Sequence, residues 1–133
     1  MAGLTGINIT MHTVAHLFFS FLYCDIRNVQ YPILKVGAGQ VPNLAPFLQN
    51  LRFVEVIEND ANNAAICHFR NQPEGHKLSI VTQDVTRYEI PKERYGGVYC
   101  KDLIGVLSRQ EGISVVARML ESLVSGGVYC FSF

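Results

Sequence analysis

The sequence predicts a single α+β domain, residues 1–133, built on an antiparallel sheet of about six strands. Short breaks separate consecutive strand-like segments in the middle of the chain, whereas parallel neighbours need a longer crossover. Helical periodicity is confined to one short segment after the second strand and two segments in the C-terminal half, which we expect to pack on the sheet. A length of 133 residues is that of one ordinary domain with one core.

The first patterned segment, Thr10 to Ile26, is compatible with two structures. A helix would place His12, His16, Ser20 and Tyr23 on one side. A strand would put alternate residues on opposite faces, and the aromatic and β-branched content favours this conformation. We therefore predict a long strand, with the helix as the alternative.

A second strand is predicted at Gln30 to Val36, and Gly37-Ala38-Gly39 then breaks the chain. These glycines do not complete a dinucleotide-binding GxGxxG motif, because Pro42 stands where the third glycine is needed and has no amide to offer a phosphate. The break is therefore interpreted as a turn before a short helix at Pro42 to Leu51, whose leucines and phenylalanine recur at helical spacing.

Four further strands, two helices and a terminal strand complete the predicted order. The predicted strands are Phe53 to Ile57, Ala64 to Arg70, Lys77 to Gln83 and Arg87 to Ile90. The predicted helices are Lys101 to Leu107 and Ile113 to Val124, each with an apolar stripe. Ser125-Gly126-Gly127 resembles a glycine-rich helix end, and Val128 to Phe133 is predicted to be the terminal strand.

The pentapeptide GGVYC occurs twice, at Gly96 to Cys100 and at Gly126 to Cys130. In each copy the glycines permit a turn and the following Val-Tyr-Cys favours a strand. The sequences after the two copies differ, so no duplicated unit is indicated. We interpret the repeat as two strand starts rather than as a pocket lined by tyrosines and thiols.

The composition and charge of the chain limit the classes of partner that it is expected to bind. Eleven basic and eleven acidic residues leave no net charge, and the basic residues are not clustered, which disfavours general nucleic-acid binding. No apolar run is long enough to span a bilayer. The hydrophobic fraction of 49% and the charged fraction of 17% indicate buried apolar surface between subunits, so we expect a homo-oligomer, with a dimer favoured.

The four cysteines form no CxxC pair, so zinc-ribbon and thioredoxin-like sites have no support. Val14 to Cys24 matches a signal sequence in length, but no basic residue precedes it and no clear cleavage site follows. We therefore expect a cytoplasmic protein with free, mostly buried thiols.

Histidine and cysteine chemistry has weak support. His12 and His16 could chelate a metal if they lie on a helix, but in a strand they would be about 13 Å apart. Cys67 and His68 would point to opposite faces of a strand, so a hydrolase would need a second histidine such as His76. We assign no catalytic residue, no metal ligand and no cofactor from the sequence.

The segment closest to a binding site is rich in arginine and tyrosine, groups that can hold a phosphate or stack on a base. The candidate ligand-binding residues are Arg87, Arg94, Tyr95, Tyr99 and Arg109. The alternative is a solvated hairpin whose tyrosines pack inward, since Glu89 and Glu93 neutralise part of the charge.

The function predicted first is a non-enzymatic binding or interaction module that acts as a homo-oligomer through an apolar inter-subunit surface or pocket. The first alternative is a binder of a small phosphate-bearing, nucleotide-like ligand through the arginine and tyrosine residues. The second is a small hydrolase or metalloenzyme that uses histidine and cysteine.

Overall fold

A parallel β-sheet forms the centre of the protein. The computed structural model describes residues 17, 18, 20–22, 28, 30–37, 53–72 and 77–131. The strands in this part of the chain are β1 (Ile33–Val36), β2 (Val54–Glu58), β3 (Leu78–Thr82), β4 (Tyr95–Cys100) and β5 (Leu123–Phe131). The helices are α1 (Ala61–Arg70), α2 (Arg109–Glu121) and a 3-10 turn at Ile104–Val106.

The strand order is β3-β2-β1-β4-β5, and every neighbouring pair is parallel. The predicted antiparallel sheet of about six strands is therefore wrong. The main cause is the segment from residue 64 to 70, which was predicted as a strand but belongs to α1. This helix supplies the crossover that a parallel β2–β3 pair requires.

Helix α1 forms because its first turn is capped. The Asp60 carboxylate accepts hydrogen bonds from the backbone N–H groups of Asn62 and Asn63, at 2.8 and 3.1 Å. Ala64 and Cys67, spaced by three residues, are the buried side chains of the helix. The carboxylate- and amide-rich residues 58–63 therefore span the end of β2, the cap residue Asp60 and the first turn of α1.

Side chains from both faces of the sheet are buried, as is typical of parallel sheets covered by helices on each side. The first core cluster consists of Phe18, Leu22, Ile33, Val54, Val56, Cys67 and Tyr99. The second core cluster consists of Leu34, Val36, Ile57, Val85, Ile90, Tyr95, Val98, Cys100, Ile104, Val115 and Met119. Alternate residues of β1 and β2 enter different clusters, as the two-residue period of a strand requires.

The N-terminal segment is helical where it is described, at residues 17, 18 and 20–22. The predicted strand is wrong for these residues and the helical alternative is correct. Phe18 and Leu22, four residues apart, both enter the first core cluster, and the Phe18 ring meets the Tyr99 ring edge-on at 5.4 Å. His12 and His16 lie outside the described residues, as does the helix predicted at Pro42 to Leu51.

The C-terminal half contains the predicted helix with different ends. Ser108 and Glu111 form a reciprocal capping box, so α2 begins at Arg109, before the predicted start. It ends at Glu121, and Ser125-Gly126-Gly127 lies inside β5 instead of capping the helix. The helix predicted at Lys101 to Leu107 is reduced to the 3-10 turn, and the strand predicted at Arg87 to Ile90 is irregular backbone.

The two GGVYC copies lie side by side in the sheet. The first belongs to β4 and the second to β5, and Gly97 pairs with Val128 while Tyr99 pairs with Cys130. The copies are thus offset by one residue, with a bulge between Tyr95 and Gly97. Tyr99 is fully buried whereas Tyr129 is 57% exposed, so the two tyrosines do not share a pocket.

Candidate functional site

The carboxyl ends of β1 and β4 meet at a switch in chain direction. From β1 the chain moves outward through β2 to β3, and it then returns to the opposite side of β1 to form β4 and β5. In open parallel sheets, ligands bind in the crevice outside the carboxyl ends of the strands at such a point. This edge is therefore the candidate functional site.

The end of β1 contributes Lys35 and Gly37. Gly37 has φ +85°, a left-handed conformation that favours glycine, and its N–H donates to the carbonyl of Ile57 at 2.7 Å. The Lys35 ammonium donates to the Gly37 carbonyl at 2.6 Å, and the lysine is only 6% exposed. Burial lowers the pKa of Lys35, although the thiols of Cys67 and Cys100 and the Glu58 carboxylate act in the opposite direction.

The end of β2 contributes Glu58, which is 8% exposed. Its Oε2 accepts a hydrogen bond from the backbone N–H of Asp60 at 2.8 Å. Asp60 is also the N-cap residue of α1. The Glu58 carboxylate therefore lies between the end of β2 and the start of α1. By strand alternation Glu58 lies on the same face as Val56, and Lys35 on the same face as Ile33, which is the face of the first core cluster.

Helix α1 places Cys67 against this face, fully buried. The Asn71 amide donates to the Cys67 carbonyl at 2.7 Å and approaches its sulfur at 3.8 Å. Burial raises the pKa of the Cys67 thiol, which keeps the sulfur protonated and weakly nucleophilic at neutral pH. His68 is exposed on the helix, so the two neighbours do not form a buried catalytic pair.

The segment after β3 contributes Asp84. Its Oδ1 accepts hydrogen bonds from the backbone N–H and the hydroxyl of Thr86, at 2.9 and 2.7 Å, and these bonds lower the pKa of the carboxyl group. The Arg118 guanidinium of α2 donates to three carbonyls of the same segment, those of Tyr88, Val85 and Thr86, at 2.6, 3.0 and 3.3 Å. The hydrogen bonds from Arg118 therefore connect the segment after β3 to helix α2.

The five arginine and tyrosine residues predicted to bind a ligand do not form one site, and of these only Arg94 and Tyr95 share a partner. Arg94 and Tyr95 lie at the amino end of β4, the edge opposite the crevice, and both donate hydrogen bonds to Glu55. Tyr99 is buried in the first core cluster, where burial raises its pKa to about 12. Arg87 is exposed after β3, and Arg109 is exposed at the start of α2. Ligand binding by these side chains stays a prediction.

The described part of the chain contains neither a metal-binding cluster nor a membrane-spanning helix. No three histidine, cysteine, aspartate or glutamate side chains come together there in a way that would hold a metal ion. His12, His16, Cys24 and His76 lie outside that part. No helix within it is both long and apolar enough to cross a bilayer.

Solved structures with the same fold are numerous, although no family model and no curated protein sequence matches the chain. The YcgJ protein of Bacillus subtilis has a TM-score of 0.71 at 15% identity over 90% of this chain and 50% of its own. The CcbJ methyltransferase of Streptomyces caelestis has a TM-score of 0.70 at 19% identity over 85% and 47%. The glycopeptide N-methyltransferase MtfA, solved with S-adenosylhomocysteine, has a TM-score of 0.67 at 20% identity over 95% and 61%.

The chain has a Rossmann-like methyltransferase fold. It spans about half the length of the proteins it resembles. The structural neighbours include S-adenosylmethionine-dependent methyltransferases, which are enzymes, and this finding overturns the prediction of a non-enzymatic binding module.

Sequence reasoning missed the residues at the carboxyl edge, although part of the signal was present. The apolar strand ILKV is followed directly by Gly-Ala-Gly, and an acidic residue, Glu58, ends the next strand about twenty residues later. The mismatch at Pro42 led to the rejection of a nucleotide-type turn.

Proposed function

We propose that the chain forms the S-adenosyl-binding part of a methyltransferase. The observation that carries this proposal is the position of the Glu58 carboxylate at the carboxyl end of β2, beside Gly37, the residue that follows β1. A carboxylate placed there, about twenty residues after the glycine, accepts hydrogen bonds from the ribose hydroxyls of a bound nucleoside. The structural neighbours support the S-adenosyl group as the nucleoside in question.

The residues at the crevice suit this ligand in two ways. Glu58 would hold the ribose, since the hydrogen bond from Asp60 already directs its carboxylate. Gly37 would allow the ligand to approach the backbone, because a Cβ added there would meet no atom of the described residues within 4 Å. When bound, S-adenosylmethionine supplies an activated methyl group on its sulfonium.

The proposal is tested by calorimetric titration of the protein with S-adenosylhomocysteine, together with thermal unfolding. We expect saturable binding and, at a hundredfold excess over Kd, a stabilisation of about 3 kcal/mol. Glu58→Gln should weaken binding about tenfold, because an amide replaces a charged acceptor. Glu89→Gln, at an exposed position, is the matched control and should leave Kd unchanged. No binding by the wild-type protein would overturn the proposal.

We also propose that the chain acts as a homo-oligomer, with a dimer the simplest case, in the cytoplasm. The mean hydropathy of +0.19 and the outer edge of β5 support association between copies. The free thiols of Cys67, Cys100 and Cys130 suit a reducing compartment.

A further inference from the structure

The turn formed by residues 84–88, directly after β3, is held by side chains because no helix follows the strand. Residues 83–94 connect β3 to β4 without a regular helix or strand. The Asp84 carbonyl accepts hydrogen bonds from the backbone N–H groups of Arg87 and Tyr88, at 3.0 and 2.9 Å. The Asp84 carboxylate accepts two more from Thr86. These bonds use the N–H groups of the turn, so its carbonyls need donors from another element.

Arg118 of α2 supplies these donors. One terminal nitrogen of its guanidinium donates to the Tyr88 carbonyl, and the other donates to the carbonyls of Val85 and Thr86. Hydrogen bonds from a charged donor are about twice as strong as those between neutral groups. A lysine has a single donor nitrogen and could not occupy both positions. The conformation of the 84–88 turn therefore depends on one side chain of a distant helix.

The 84–88 turn lies beside the position proposed for the ligand. Strands β2 and β3 are parallel, and their last residues, Glu58 and Thr82, are paired. The turn begins two residues after Thr82, so it lies at the carboxyl edge of the sheet, next to the end of β2. A nucleoside held by Glu58 has this turn as its neighbour on the β3 side.

We infer that Arg118 is a positioning residue for the nucleoside ligand. This inference rests on the proposed function. The guanidinium is occupied by three backbone carbonyls, so it acts through the 84–88 turn and not by contact with the ligand. The apparent affinity of a ligand falls in proportion to the fraction of molecules that have the binding conformation. Arg118 keeps that fraction high by holding the turn in place with its three hydrogen bonds.

The first test is calorimetric titration with S-adenosylhomocysteine. Arg118→Ala should raise Kd about tenfold, the change expected if the turn is in place about one tenth of the time. Glu55→Gln is the control, because Glu55 accepts its hydrogen bonds from Arg94 and Tyr95 at the opposite edge of the sheet. This substitution should also destabilise the fold but should keep the wild-type Kd. A general loss of stability would instead affect both variants alike.

The second test restores the missing group to the Arg118→Ala variant. A cavity of about 350 Å³ borders Arg118 and gives a small cation access to the carbonyls. Its other lining residues are Thr86, Ser108, Gln110, Glu111 and Ser114. Millimolar ethylguanidinium should return Kd toward the wild-type value, whereas ethylammonium, which has the same charge on a single nitrogen, should not. Equal effects of the two cations would overturn the inference.

Arg118→Ala could fail to fold, so a third measurement uses the wild-type protein alone. Hydrogen exchange reports opening of the turn through the amides of Arg87 and Tyr88, which donate to Asp84. S-adenosylhomocysteine at about tenfold excess over Kd should slow this exchange about tenfold, because the ligand binds only when the turn is in place. Unchanged exchange at these two amides would overturn the inference without any variant.

The outcomes separate the inference from the proposed function. If the wild type and Arg118→Ala bind S-adenosylhomocysteine with the same Kd, the inference is overturned while the proposed function stands. If the wild-type protein does not bind this ligand, both fall together.

Discussion

Gly96 and Gly97 in β4 are required because other residues pack closely against them, and not because the chain turns there. A Cβ added at Gly96 would lie 1.9 Å from the carbonyl oxygen of Asn28, and one added at Gly97 would lie 2.8 Å from the Leu22 side chain. In the second GGVYC copy the reason differs, since Gly126 has φ +81° and nothing within 4 Å of an added Cβ among the described residues. The same pentapeptide thus satisfies a steric constraint at both glycines of β4, whereas in β5 it satisfies a backbone constraint at Gly126 and a steric one at Gly127, where an added Cβ would lie 3.0 Å from the Val124 carbonyl oxygen.

The residue-scale prediction concerns the contact between Gly96 and Asn28. Gly96→Ala should lower the free energy of unfolding by about 3 kcal/mol, because the backbone of residue 28 cannot yield as a flexible side chain would. Gly97→Ala should cost less, since the side chains of Leu22 and Phe18 can move. The measurement is the urea midpoint of each variant.

Gly112→Ala is the matched control for these substitutions. Gly112 is inside α2, and an added Cβ there would make ordinary contacts with Ile104 at 3.5 and 3.9 Å. Alanine also favours a helix by about 1 kcal/mol over glycine, so the control should be as stable as the wild type or more stable. Equal stability of the Gly96 and Gly112 variants would contradict the described packing.

At the scale of elements, a polar cluster links two strands that are not neighbours. Glu55 of β2 accepts hydrogen bonds from Arg94 and Tyr95 at the start of β4, although β1 lies between the two strands. The tyrosine hydroxyl donates at 2.5 Å and is held by a ring buried in the second core cluster. These hydrogen bonds connect β2 to β4 at the amino-terminal edge of the sheet. They do not involve the carboxyl edge, where the candidate site lies.

This cluster predicts a stability change in acid. Burial raises the pKa of Glu55, but the hydrogen bonds from Arg94 and Tyr95 outweigh it and hold the pKa below its usual value of 4.5. A lowered folded-state pKa means that the stabilisation is complete above about pH 4.5 and is lost as the pH falls through the folded-state value. Glu55→Gln should therefore be less stable than the wild type by about 1 to 2 kcal/mol at pH 7, and this gap should close in acid.

The measurement is urea unfolding of both proteins at pH 7 and at several pH values below 4.5. Glu89→Gln serves as the comparison, and its difference from the wild type should stay near zero throughout. If the difference in free energy of unfolding between Glu55→Gln and the wild type does not change with pH, Arg94 and Tyr95 do not stabilise the Glu55 carboxylate.

At the scale of the whole molecule, the described residues include one long edge strand without charged residues. In the described part of the chain β5 pairs with β4 alone, and none of its nine residues is charged or a proline. Natural sheets protect such edges with charges, prolines or a covering element. A second copy of the chain could cover β5 by antiparallel pairing about a twofold axis.

The whole-molecule prediction is an oligomer that depends on this edge. Native mass spectrometry at micromolar concentration should show a dimer, and Tyr129→Lys should shift it toward monomer, because a charge is placed on an exposed aromatic position of β5. Val106→Lys is the control, since Val106 is 77% exposed and belongs to the 3-10 turn rather than to β5. A wild-type monomer, or equal dissociation in both variants, would contradict this interface.

Local patterns identified several elements but not their arrangement. The strands near residues 30–36, 53–57, 77–83 and 128–133 and the helix near residues 113–124 were found from periodicity, with ends shifted by a few residues. The segment around Cys67 was misassigned because a short apolar run fits either a strand or a buried helix face. The cap formed by Asp60 was the local signal that could have resolved it.

The amino-acid order was therefore sufficient for the positions of most strands, for the C-terminal helix and for the absence of a net charge that would attract nucleic acid. Strand direction depended on the crossover through α1, and the candidate site depended on strand direction. Lys35, Glu58 and Cys67 are far apart in the chain and acquire a common face only when β1 and β2 pair in parallel. Tertiary structure decided the site because a ligand crevice is formed by strand ends that no local pattern brings together.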